Sequence, residues 1–516
     1  MEKQLALRFG LPVYEKIDSF LYVKDKVAII PYAFAKQKGV LPLEENENGV
    51  IIAVADPLEV EALAILRLLL KKAMVPIFVS KERLEEAIER CYQQKEEETQ
   101  RFFSNLGKAQ EGTLNKEGAE EYDLLEQVDE NPVVRLVNTF FLEAIQQGAS
   151  DIHFEPTQEG LSIRYRVDGV LLKKHTPPRE YQQQILTRIK VMAKMDIAEQ
   201  RLPQDGRIKL HHGGREIDFR VSTLPMIYGE RVVLRILDKG NIVLGIDRIG
   251  MSPSLLKSFR KLIHLSEGIV LVTGPTGSGK TTTLYSALSE INATEMNVMT
   301  IEDPVEYKLS GISQMNVNRK IELDFSKGLR HILRQDPDVI MIGEIRDKET
   351  AEIAIQASLT GHLVLSTLHT NDAPSALTRL ADMGIEPYLL ASSILGVLAQ
   401  RLVRKICPNC KVSYVPSQEE VEELGVKERE KIFFKGTGCP HCFGTGYRGR
   451  CGVYELMLMD GKIKEQVLLS QDAEELRKVA LQQGMSTLFD QGLQLVYSGN
   501  TTSSELLRVT RLREEV

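Results

Sequence analysis

A glycine-rich segment, GPTGSGKT from Gly274 to Thr281, has the residue types and the spacing of a loop that binds phosphate. Its glycines let consecutive backbone N–H groups point toward one anion, and a helix beginning at Lys280 would aim its positive dipole end at the same point. Lys280 would hold the β- and γ-phosphates of a nucleotide, and the Thr281 hydroxyl would ligate Mg²⁺. The residues predicted to contact nucleotide here are Gly274, Pro275, Thr276, Gly277, Ser278, Gly279, Lys280, Thr281 and Thr282.

A glycine-rich turn between a strand and a helix, with an unrelated lysine, is the alternative for this segment. The aliphatic run from Ile269 to Val272 precedes the loop and suits a parallel strand that is buried on both faces. Strand, loop and helix thus occur in the order that a P-loop requires, which favours phosphate binding.

Polar segments follow four aliphatic runs that are spaced like the strands of a parallel sheet. The runs are Ile269 to Val272, Val298 to Ile301, Val339 to Ile342 and Leu363 to Leu365, and the segments after them are GPTGSGKT, EDPVE, GEIRD and STLHT. The carboxyl ends of parallel strands share one edge of a sheet, where ligands bind. The sequence therefore predicts an α/β nucleotide domain over residues 241–400, with these segments around one site.

Carboxylates for nucleotide hydrolysis come from two of these segments. Glu302, Asp303 and Glu306 follow the second run, and Glu344 follows the third. The strand before Glu344, VIMIGE, is similar to a Walker B strand but has Gly343 where an aspartate usually stands. Glu344 would therefore contact Mg²⁺ through water or, as we favour, activate the attacking water with support from Glu306. A helix cap or an ion pair is the alternative for each acid.

His369 ends the fourth segment. It could donate a hydrogen bond to the γ-phosphate or relay the presence of that phosphate to a neighbouring subunit, whereas a histidine held by ordinary hydrogen bonds is the alternative. The segment SKGLRHILRQ predicts a helix from Ser326 to Gln335, with Arg330 and Arg334 one turn apart on its polar face.

A second α/β unit, over residues 127–240, has many arginines on or beside its strands. They are Arg164, Arg166, Arg201, Arg207, Arg220, Arg231 and Arg235. Such a row could clamp a phosphate bound by a neighbouring domain, or it could simply mark a solvated strand face. The candidates for stabilising charge on the γ-phosphate during hydrolysis are Arg207, Arg220, Arg330 and Arg334.

Two CxxC motifs, Cys407 to Cys410 and Cys439 to Cys442, predict a zinc site. Four thiolates can close a tetrahedral site, and zinc would stabilise a small insert that is rich in loops. Cys451 and His441 are possible substitutes, although neither completes a CxxC motif.

The composition limits the class of protein. The chain has 516 residues, too many for one hydrophobic core, and its 65 basic and 72 acidic residues give a net charge of -7, which disfavours non-specific coating of nucleic acid. No apolar run approaches the ~18 residues of a membrane span, and Met1 to Gly10 lacks the apolar core of a signal peptide. We therefore expect a cytoplasmic protein that contacts a membrane only through partners.

These observations divide the chain into six segments. They are an amino-terminal α/β docking domain (1–92), a flexible acidic linker (93–126), the second α/β domain with its arginines (127–240), the nucleotide domain (241–400), the tetracysteine zinc subdomain (401–455) and a helical carboxyl-terminal subdomain (456–516).

The chain contains, in this order, the P-loop, EDPVE, GEIRD, STLHTND and the paired cysteine motifs. It also contains the segments RLPQDGR, ASDIHFEP and GLRHILRQDPD. With these motifs nearly the whole chain resembles the secretion ATPase superfamily, most closely its type II secretion ATPases (GspE) and type IV pilus assembly ATPases (PilB). The resemblance implies a multidomain α/β protein with a RecA-like P-loop NTPase core. It also implies a PAS-like α/β domain before the core, a zinc-binding insert and a separate small amino-terminal domain.

The resemblance further implies a cytoplasmic homohexamer that binds ATP, Mg²⁺ and Zn²⁺, with ATP between the second domain and the nucleotide domain. The family's Walker A motif corresponds to Gly274 to Thr281, and its other site residues correspond to Glu302, Asp303 and Glu306 (Asp box), Glu344 (Walker B), His369 (His box) and the arginines Arg207, Arg220, Arg330 and Arg334.

In such proteins the first domain docks on a membrane-anchored cytoplasmic adaptor, which here would be GspL-like and bind residues 1–92. The hydrolysis cycle moves an inner-membrane platform protein, here GspF-like, that assembles pilin-like subunits. The resemblance therefore implies peripheral association with the inner membrane. Residues 1–90 show no pair of repeats like the cyclic-dinucleotide-binding module of some relatives, so that ligand is not predicted.

Other functions stay open at this point. Type II secretion and pilus assembly share their core motifs, although the paired cysteines favour an assembly ATPase over a retraction ATPase, and the single first domain favours secretion. A DNA-uptake or other nucleic-acid motor is disfavoured by the net charge of -7, so we expect no nucleic-acid partner. A scaffold that binds nucleotide without hydrolysis is disfavoured by the intact Lys280, Thr281 and Glu344.

Overall fold

A computed structural model describes most of the chain after residue 131 and parts of the region before it. The described residues are 11–14, 35, 38–46, 49–58, 62–63, 66, 73–85, 87–88, 122–123, 132–212, 215–238, 245–291, 293–426 and 432–510. The predicted linker, 93–126, lies outside them except for 122–123. Among the described helices, none combines the length and the apolar character that crossing a bilayer requires.

The chain divides into two compact units. The first comprises Met1–Val167 with Leu171–Gly240, and the second comprises Asp168–Val170 with Asn241–Val516. The first unit contains two sheets, each with its own hydrophobic core. The second unit contains one large sheet and a two-stranded hairpin.

A four-stranded sheet forms the amino-terminal part of the first unit, in the order β1-β4-β3-β2. Its strands are β1 (Val13–Tyr14), β2 (Val40–Asn46), β3 (Gly49–Val54) and β4 (Met74–Val79). β4 is parallel to β1 and β3, and β2 is antiparallel to β3. Most aliphatic side chains at the carboxyl ends of β3 and β4 are buried, Ile52 and Val79 completely. Their burial gives this sheet a core of its own.

A seven-stranded sheet and two helices form the rest of the first unit, in the order β5-β9-β10-β11-β6-β7-β8. The elements are β5 (Tyr122–Asp123), α1 (Pro132–Gln146), β6 (Ala149–Thr157), β7 (Gly160–Val167), β8 (Val170–His175), α2 (Gln182–Met192), β9 (Gln204–His212), β10 (Arg215–Met226) and β11 (Gly229–Asp238). The apolar stripe of α1 packs on alternate strand residues such as Tyr165 and Phe219, all in one core. That core leaves the other strand residues, including the arginines, on the opposite face.

The second unit is organised around a seven-stranded sheet in the order β14-β13-β15-β16-β12-β17-β20. The strands of this unit are β12 (Gly268–Thr273), β13 (Val298–Glu302), β14 (Ser313–Asn316), β15 (Val339–Ile342), β16 (Leu363–Leu368), β17 (Ile394–Ile406), β18 (Lys411–Tyr414), β19 (Phe433–Gly436) and β20 (Tyr447–Leu458). All pairs in the large sheet are parallel except β17 with β20. Every residue of β12, β15 and β16 is buried, as the continuous aliphatic runs predicted.

Helices of the second unit cover the large sheet and continue to the end of the described chain. They are α3 (Pro253–Ile263), α4 (Lys280–Glu290), α5 (Phe325–Ile332), α6 (Lys348–Leu359), α7 (Pro374–Asp382), α8 (Pro387–Ser393), α9 (Gln418–Glu423), α10 (Gly461–Leu469), α11 (Ala473–Gln482), α12 (Leu488–Tyr497) and α13 (Ser503–Thr510). Aspartates cap four of them at the N-terminus; Asp324, for example, accepts from the N–H of Lys327, and Asp347 accepts from the N–H of Thr350.

The paired cysteine motifs lie between two strands of the large sheet. β17 extends to Ile406 and β20 begins at Tyr447, and both strands pair with each other in the large sheet. The insert therefore lies between these two strands and includes the hairpin of β18 and β19. Some side chains of the carboxyl-terminal helices, such as Val467, Leu476 and Leu488, share one core with the large sheet, whereas Val496 and Leu506 pack in a second cluster with Phe433.

Candidate nucleotide site and cysteine cluster

The loop between β12 and α4 requires glycine at three positions. Gly274, Gly277 and Gly279 have φ angles of 150°, 79° and 90°, a region in which a Cβ atom is strained. A Cβ on Gly274 would also lie 2.5 Å from the backbone oxygen of Gln400 and 2.6 Å from Oγ of Ser278. The first turn of α4, which begins directly after this loop, has backbone N–H groups available to an anion.

Gln400 of β17 holds the loop, and the sequence analysis did not single it out. Its amide nitrogen donates to the backbone oxygen of Ser278 at 2.6 Å, and its amide oxygen accepts from Oγ1 of Thr283 at 2.7 Å. The side chain is 1% exposed. A polar residue inside the apolar run GVLAQRLV was the only signal for it in the sequence.

Lys280 is buried and folds back over the loop. Its ammonium group donates to the backbone oxygens of Gly274 at 2.7 Å and Pro275 at 3.2 Å, and lies 3.4 Å from Nδ1 of His369. Burial lowers the pKa of Lys280 to about 8; the Glu344 carboxylate opposes this shift and the Arg401 guanidinium adds to it. A buried cation with only carbonyl partners in the loop is placed to receive a phosphate oxygen.

Glu344 and His369 contact each other at the ends of neighbouring strands. Oε2 of Glu344 lies 3.4 Å from Nε2 of His369, and its other oxygen accepts from Arg346. Burial and the nearby Lys280 lower the pKa of His369, whereas Glu344 raises it. Because an ammonium group can only donate, Nδ1 of His369 accepts from Lys280 and the proton of the neutral ring faces Glu344.

The sheet register explains why these residues meet. Thr273, the last residue of β12, pairs with Leu368, the last residue of β16. His369 therefore follows directly beside the start of the loop. Oγ1 of Thr273 also accepts from the backbone N–H of Thr370 at 2.9 Å, which fixes the segment after β16 to the strand before the loop. The predicted convergence of the first, third and fourth polar segments is present in the structure.

Of the acids at and after the end of β13, Glu302 is buried, whereas Asp303 and Glu306 are more exposed. Glu302 is 3% exposed, and its carboxylate accepts from Tyr285, from Thr300 at 2.6 Å and from Gln314 at 3.1 Å. These partners occupy its oxygens, so Glu302 belongs to a buried network, and its contact with nucleotide stays a prediction. Asp303 pairs with Arg319 at 3.3 Å, and the backbone N–H of Glu306 donates to Tyr285 at 3.3 Å.

The two arginines of the predicted helix are not equivalent. The helix α5 ends at Ile332, so Arg334 lies beyond it and donates to the backbone oxygen of Arg330 at 2.8 Å. Arg330 is paired with Glu349 of α6 at 2.5 Å. The backbone N–H of Leu333 still donates to the oxygen of Leu329, so the helical turn continues toward Arg334, and the role of the two arginines stays a prediction.

Arg207 and Arg220, in the first unit, belong to a row that crosses three strands. Arg207 of β9 is opposite Arg220 of β10, which is opposite Arg235 of β11. Like charges that are directly opposite on neighbouring strands repel each other. Asp151 compensates part of this charge through Arg235, whose Nε lies 3.2 Å from Oδ1 of Asp151.

The residues around the loop fit a nucleotide with Mg²⁺. Ser278 Oγ is buried and has no hydrogen-bond partner among the described residues, and Thr281 is exposed on the first turn of α4. A hydroxyl in each of these positions can donate to phosphate or ligate a hard cation.

The sulfur atoms of four cysteines lie within 4.8 Å of one another; the cysteines are Cys407, Cys410, Cys439 and Cys442. The Sγ atoms of Cys407 and Cys439 are 3.8 Å apart, as are those of Cys410 and Cys442. Four sulfurs at about 2.3 Å from a central zinc ion would be separated by about 3.8 Å. A disulfide would need about 2.05 Å, so the spacing fits a tetrahedral metal site.

Backbone donors favour the thiolate form of Cys442. Burial raises its pKa, but the N–H groups of Cys439 and Gly446, each 3.2 Å from its sulfur, lower the pKa to about 7. The substitutes considered from the sequence, His441 and Cys451, are not part of the four-residue group found among the described residues.

Comparison with known protein families identifies the family to which the chain belongs. The family model described as "Type II/IV secretion system protein" matches residues 126–508. The chain belongs to this family. A second model, described as "MshEN domain", matches residues 9–98 and assigns the amino-terminal segment to a module that the sequence analysis did not recognise. The prediction about a cyclic dinucleotide stays untested.

Relatives in the type II/IV secretion family resemble the chain over nearly their full length. The Type II secretion system ATPase E of Vibrio cholerae serotype O1 is 46% identical over 95% of this chain and 98% of its own. The Type II secretion system protein E of Dickeya dadantii is 48% identical over 94% and 97%. The ATPase DotB of Legionella pneumophila shares the fold, with a TM-score of 0.54, 20% identity and coverage of 76% of this chain and 99% of its own. The predictions of a RecA-like fold and a secretion ATPase are confirmed.

Proposed function

We propose that this chain hydrolyses ATP to power assembly of a pseudopilus by a type II secretion system, and so protein export across the outer membrane. The observation that carries the proposal is the line of three side chains, Lys280, His369 and Glu344, at the ends of neighbouring parallel strands. His369 lies 3.4 Å from both the Lys280 ammonium and the Glu344 carboxylate, so a buried cation, a neutral donor and a carboxylate stand in one row, and these are groups that phosphate cleavage by water requires.

Binding would begin at the loop. The backbone N–H groups at the start of α4 and the Lys280 ammonium would take the β- and γ-phosphates, with Ser278 Oγ as a further donor. The Thr281 hydroxyl would hold Mg²⁺, which would supply positive charge against the phosphates. Asp303 and Glu306 would orient water around the cation, and Glu302 would support them from the buried network.

Glu344 would orient the attacking water and accept its proton. Its contact with His369 keeps the carboxylate directed along the strand edge, and Arg346 holds its second oxygen. The Nδ1 atom of His369 lies toward Lys280, so the ring would change its hydrogen bonds when a γ-phosphate replaces that contact. His369 would thus report whether the γ-phosphate is present.

Arg207 and Arg220 would supply positive charge to the γ-phosphate from a neighbouring chain of a homohexamer. Their repulsion across the strands is relieved when an anion binds, which supports this role. Arg330 and Arg334 would contribute only after leaving their partners in α5 and α6. The four cysteines would hold zinc, which when bound cross-links the two ends of the insert.

The partners are proposed by analogy with the secretion ATPases. Residues 1–92 would dock on a membrane-anchored, GspL-like adaptor, and the hexamer would move a GspF-like platform protein in the inner membrane. The protein would then act on the cytoplasmic side of that membrane.

Phosphate release by the purified full-length chain tests the function. We expect Mg²⁺-dependent turnover that increases with a co-purified platform protein and is lost in Lys280→Ala. Equal turnover in wild type and Lys280→Ala would overturn the proposal. Stimulation by duplex DNA and not by the platform would instead support a nucleic-acid motor.

A further inference from the structure

Each residue of the segment 370–373, directly after His369, is held by a different element of the second unit. The bonds are, in order, Thr370 N–H to Thr273 Oγ1 at 2.9 Å, Arg401 to Asn371 Oδ1 at 2.9 Å, Arg477 to Asp372 Oδ2 at 2.8 Å, and Ala373 N–H to Glu455 Oε1 at 2.8 Å. The partners come from β12, β17, α11 and β20. The segment between the histidine and α7 is therefore fixed along its whole length.

Glu455 joins this segment to the carboxyl-terminal helices. Its carboxylate is 1% exposed and accepts from the backbone N–H of Ala373, which precedes α7, and from that of Leu488 at 3.2 Å, the first residue of α12. One buried carboxylate thus lies at the N-terminal ends of two helices, where their dipoles stabilise its charge. A shift of either helix must move this carboxylate or break one of its bonds.

Arg477 makes the second link. It extends from α11 to Asp372, which is 6% exposed and also accepts from the backbone N–H of Ser375 at the start of α7. A carboxylate as buried as Asp372 is costly without a cationic partner. Loss of Arg477 would therefore drive Asp372 toward solvent and move the segment that carries His369.

We infer that Arg477 and Glu455 are positioning residues for His369, so that hydrolysis depends on how helices α11 and α12 are seated. The inference rests on the proposed role of His369 in hydrolysis. Among the described residues, neither is hydrogen-bonded to the loop or to Lys280; Arg477 acts through the side chain of Asp372 and Glu455 through the backbone N–H of Ala373. This gives the carboxyl-terminal helices, which showed no chemistry in the sequence, a part in the reaction.

The links are not needed to hold the helices in place. Leu476, next to Arg477, is completely buried in the core that α11 shares with the large sheet, and Ile463 and Val467 of α10 are buried in the same core. Apolar burial of this kind provides most of the free energy that seats a helix. The bonds of Arg477 and Glu455 therefore contribute little to holding the helices on the sheet and mainly fix the position of residues 370–373. Their loss should affect turnover more than folding.

The first test compares Arg477→Gln with Lys478→Gln in the full-length protein. Both remove one positive charge from α11, but Lys478 is exposed. We expect Arg477→Gln to lower kcat by about 10- to 100-fold, because misplacing a reacting group by about 1 Å has that effect. KM for ATP and nucleotide affinity should change by less than about threefold. Lys478→Gln should match wild type, and Arg477→Lys should recover part of kcat.

A double-mutant cycle separates positioning from general damage. If Arg477 acts through His369, then Arg477→Gln should cause no further loss of kcat in a His369→Ala background. Losses that multiply in the double variant would overturn the inference. So would an Arg477→Gln variant with the wild-type kcat. Wild-type kcat in His369→Ala alone would instead refute the proposed role of His369, and the two failures are thus distinguishable.

Asp372→Asn provides a second variant if Arg477→Gln does not fold. The asparagine keeps an oxygen for the N–H of Ser375 but loses the charge that pairs with Arg477. It should reproduce the loss of kcat with KM retained, and the same cycle with His369→Ala should show no further loss. A loss of nucleotide affinity with unchanged kcat would contradict the inference.

Discussion

Gln400 donates a hydrogen bond to the backbone oxygen of Ser278 at 2.6 Å, although 122 positions separate the two residues in the sequence. The same amide accepts from Thr283, so one side chain of β17 contacts both the phosphate-binding loop and the helix after it. The loop thus depends for its shape on a strand that is not among those contributing the nucleotide-binding motifs.

Gln400→Leu should weaken nucleotide binding roughly tenfold or more, which corresponds to about 1.4 kcal/mol. Leucine has a similar volume but leaves the buried oxygen of Ser278 and the hydroxyl of Thr283 without their partner. Stranding such groups costs about 1–3 kcal/mol each. Titration with a fluorescent ATP analogue measures the effect.

The matched control is Gln356→Leu, which makes the same change at an exposed position of α6. It should bind the analogue as wild type does. Unchanged affinity in Gln400→Leu would show that the glycine loop keeps its shape without this amide.

Glu344→Gln should lower kcat by about 10²- to 10⁴-fold, the usual contribution of a general base. Glutamine keeps the size of the side chain and can still bond to Arg346, but it cannot accept a proton from water. ATP should bind with an affinity within about threefold of wild type. Single-turnover phosphate release and equilibrium ATP binding together check this.

Glu386→Gln is the control for that substitution, because Glu386 is an exposed acid of the same unit. Its turnover should equal that of wild type. A Glu344→Gln variant that keeps more than about a tenth of the wild-type kcat would exclude Glu344 as the base.

Cys407→Ser and Cys439→Ser should each release most of the bound metal. The four sulfurs form one tetrahedral group, so one missing thiolate opens the site. We expect about one zinc ion per chain in wild type and much less in either variant, with ATP binding retained. Elemental analysis of the purified protein measures the metal.

Cys451→Ser serves as the control, because this half-buried cysteine is outside the four-residue group. It should retain its zinc. Full metal content in Cys407→Ser and Cys439→Ser would show that the cluster does not hold zinc through these thiolates.

Glu505 should make stability depend on pH. Burial raises the pKa of Glu505, but hydrogen bonds from Arg508 and Arg404 lower it more, so its pKa lies below the ordinary value of 4.5. The charged form therefore stabilises the fold above that ordinary value, and this stabilisation is lost as the pH falls through the lower folded value. At neutral pH, Glu505→Gln should cost about 2–3 kcal/mol, and the cost should shrink in acid.

Urea unfolding of wild type and Glu505→Gln between about pH 7 and about pH 3.5 measures this difference. Glu465→Gln, at an exposed position of α10, should show almost no change at any of these pH values. A cost for Glu505→Gln that stays constant across the range would mean that charge does not contribute.

Local sequence signals were sufficient for the phosphate loop, the buried strands and the cysteine motifs. Each depends on residues that are close in the chain: glycines that permit positive φ, aliphatic runs that must be buried, and pairs of thiols three positions apart. Because parallel strands align their carboxyl ends, the sequence also predicted that Lys280, Glu344 and His369 meet.

These local signals could not predict the direction of individual side chains or the length of a helix. Glu302 and Asp303 are adjacent acids at a strand end, yet only Glu302 is bonded within a buried network with Tyr285. Successive strand residues point to opposite faces, and which face is covered depends on elements from elsewhere in the chain. Similarly, the apolar spacing around Arg330 could not show that α5 ends at Ile332.

The sequence by itself determined the glycine loop, the polar residues that follow the parallel strands and the four cysteines of the cluster, because these need few residues in close succession. Only the tertiary structure decided what holds them in position. No motif near Gln400 or Arg477 in the sequence marks them, and they acquire a role because folding places them beside Ser278 and Asp372. Such pairs are selected by the requirement that buried polar groups be satisfied, and this requirement leaves no local pattern.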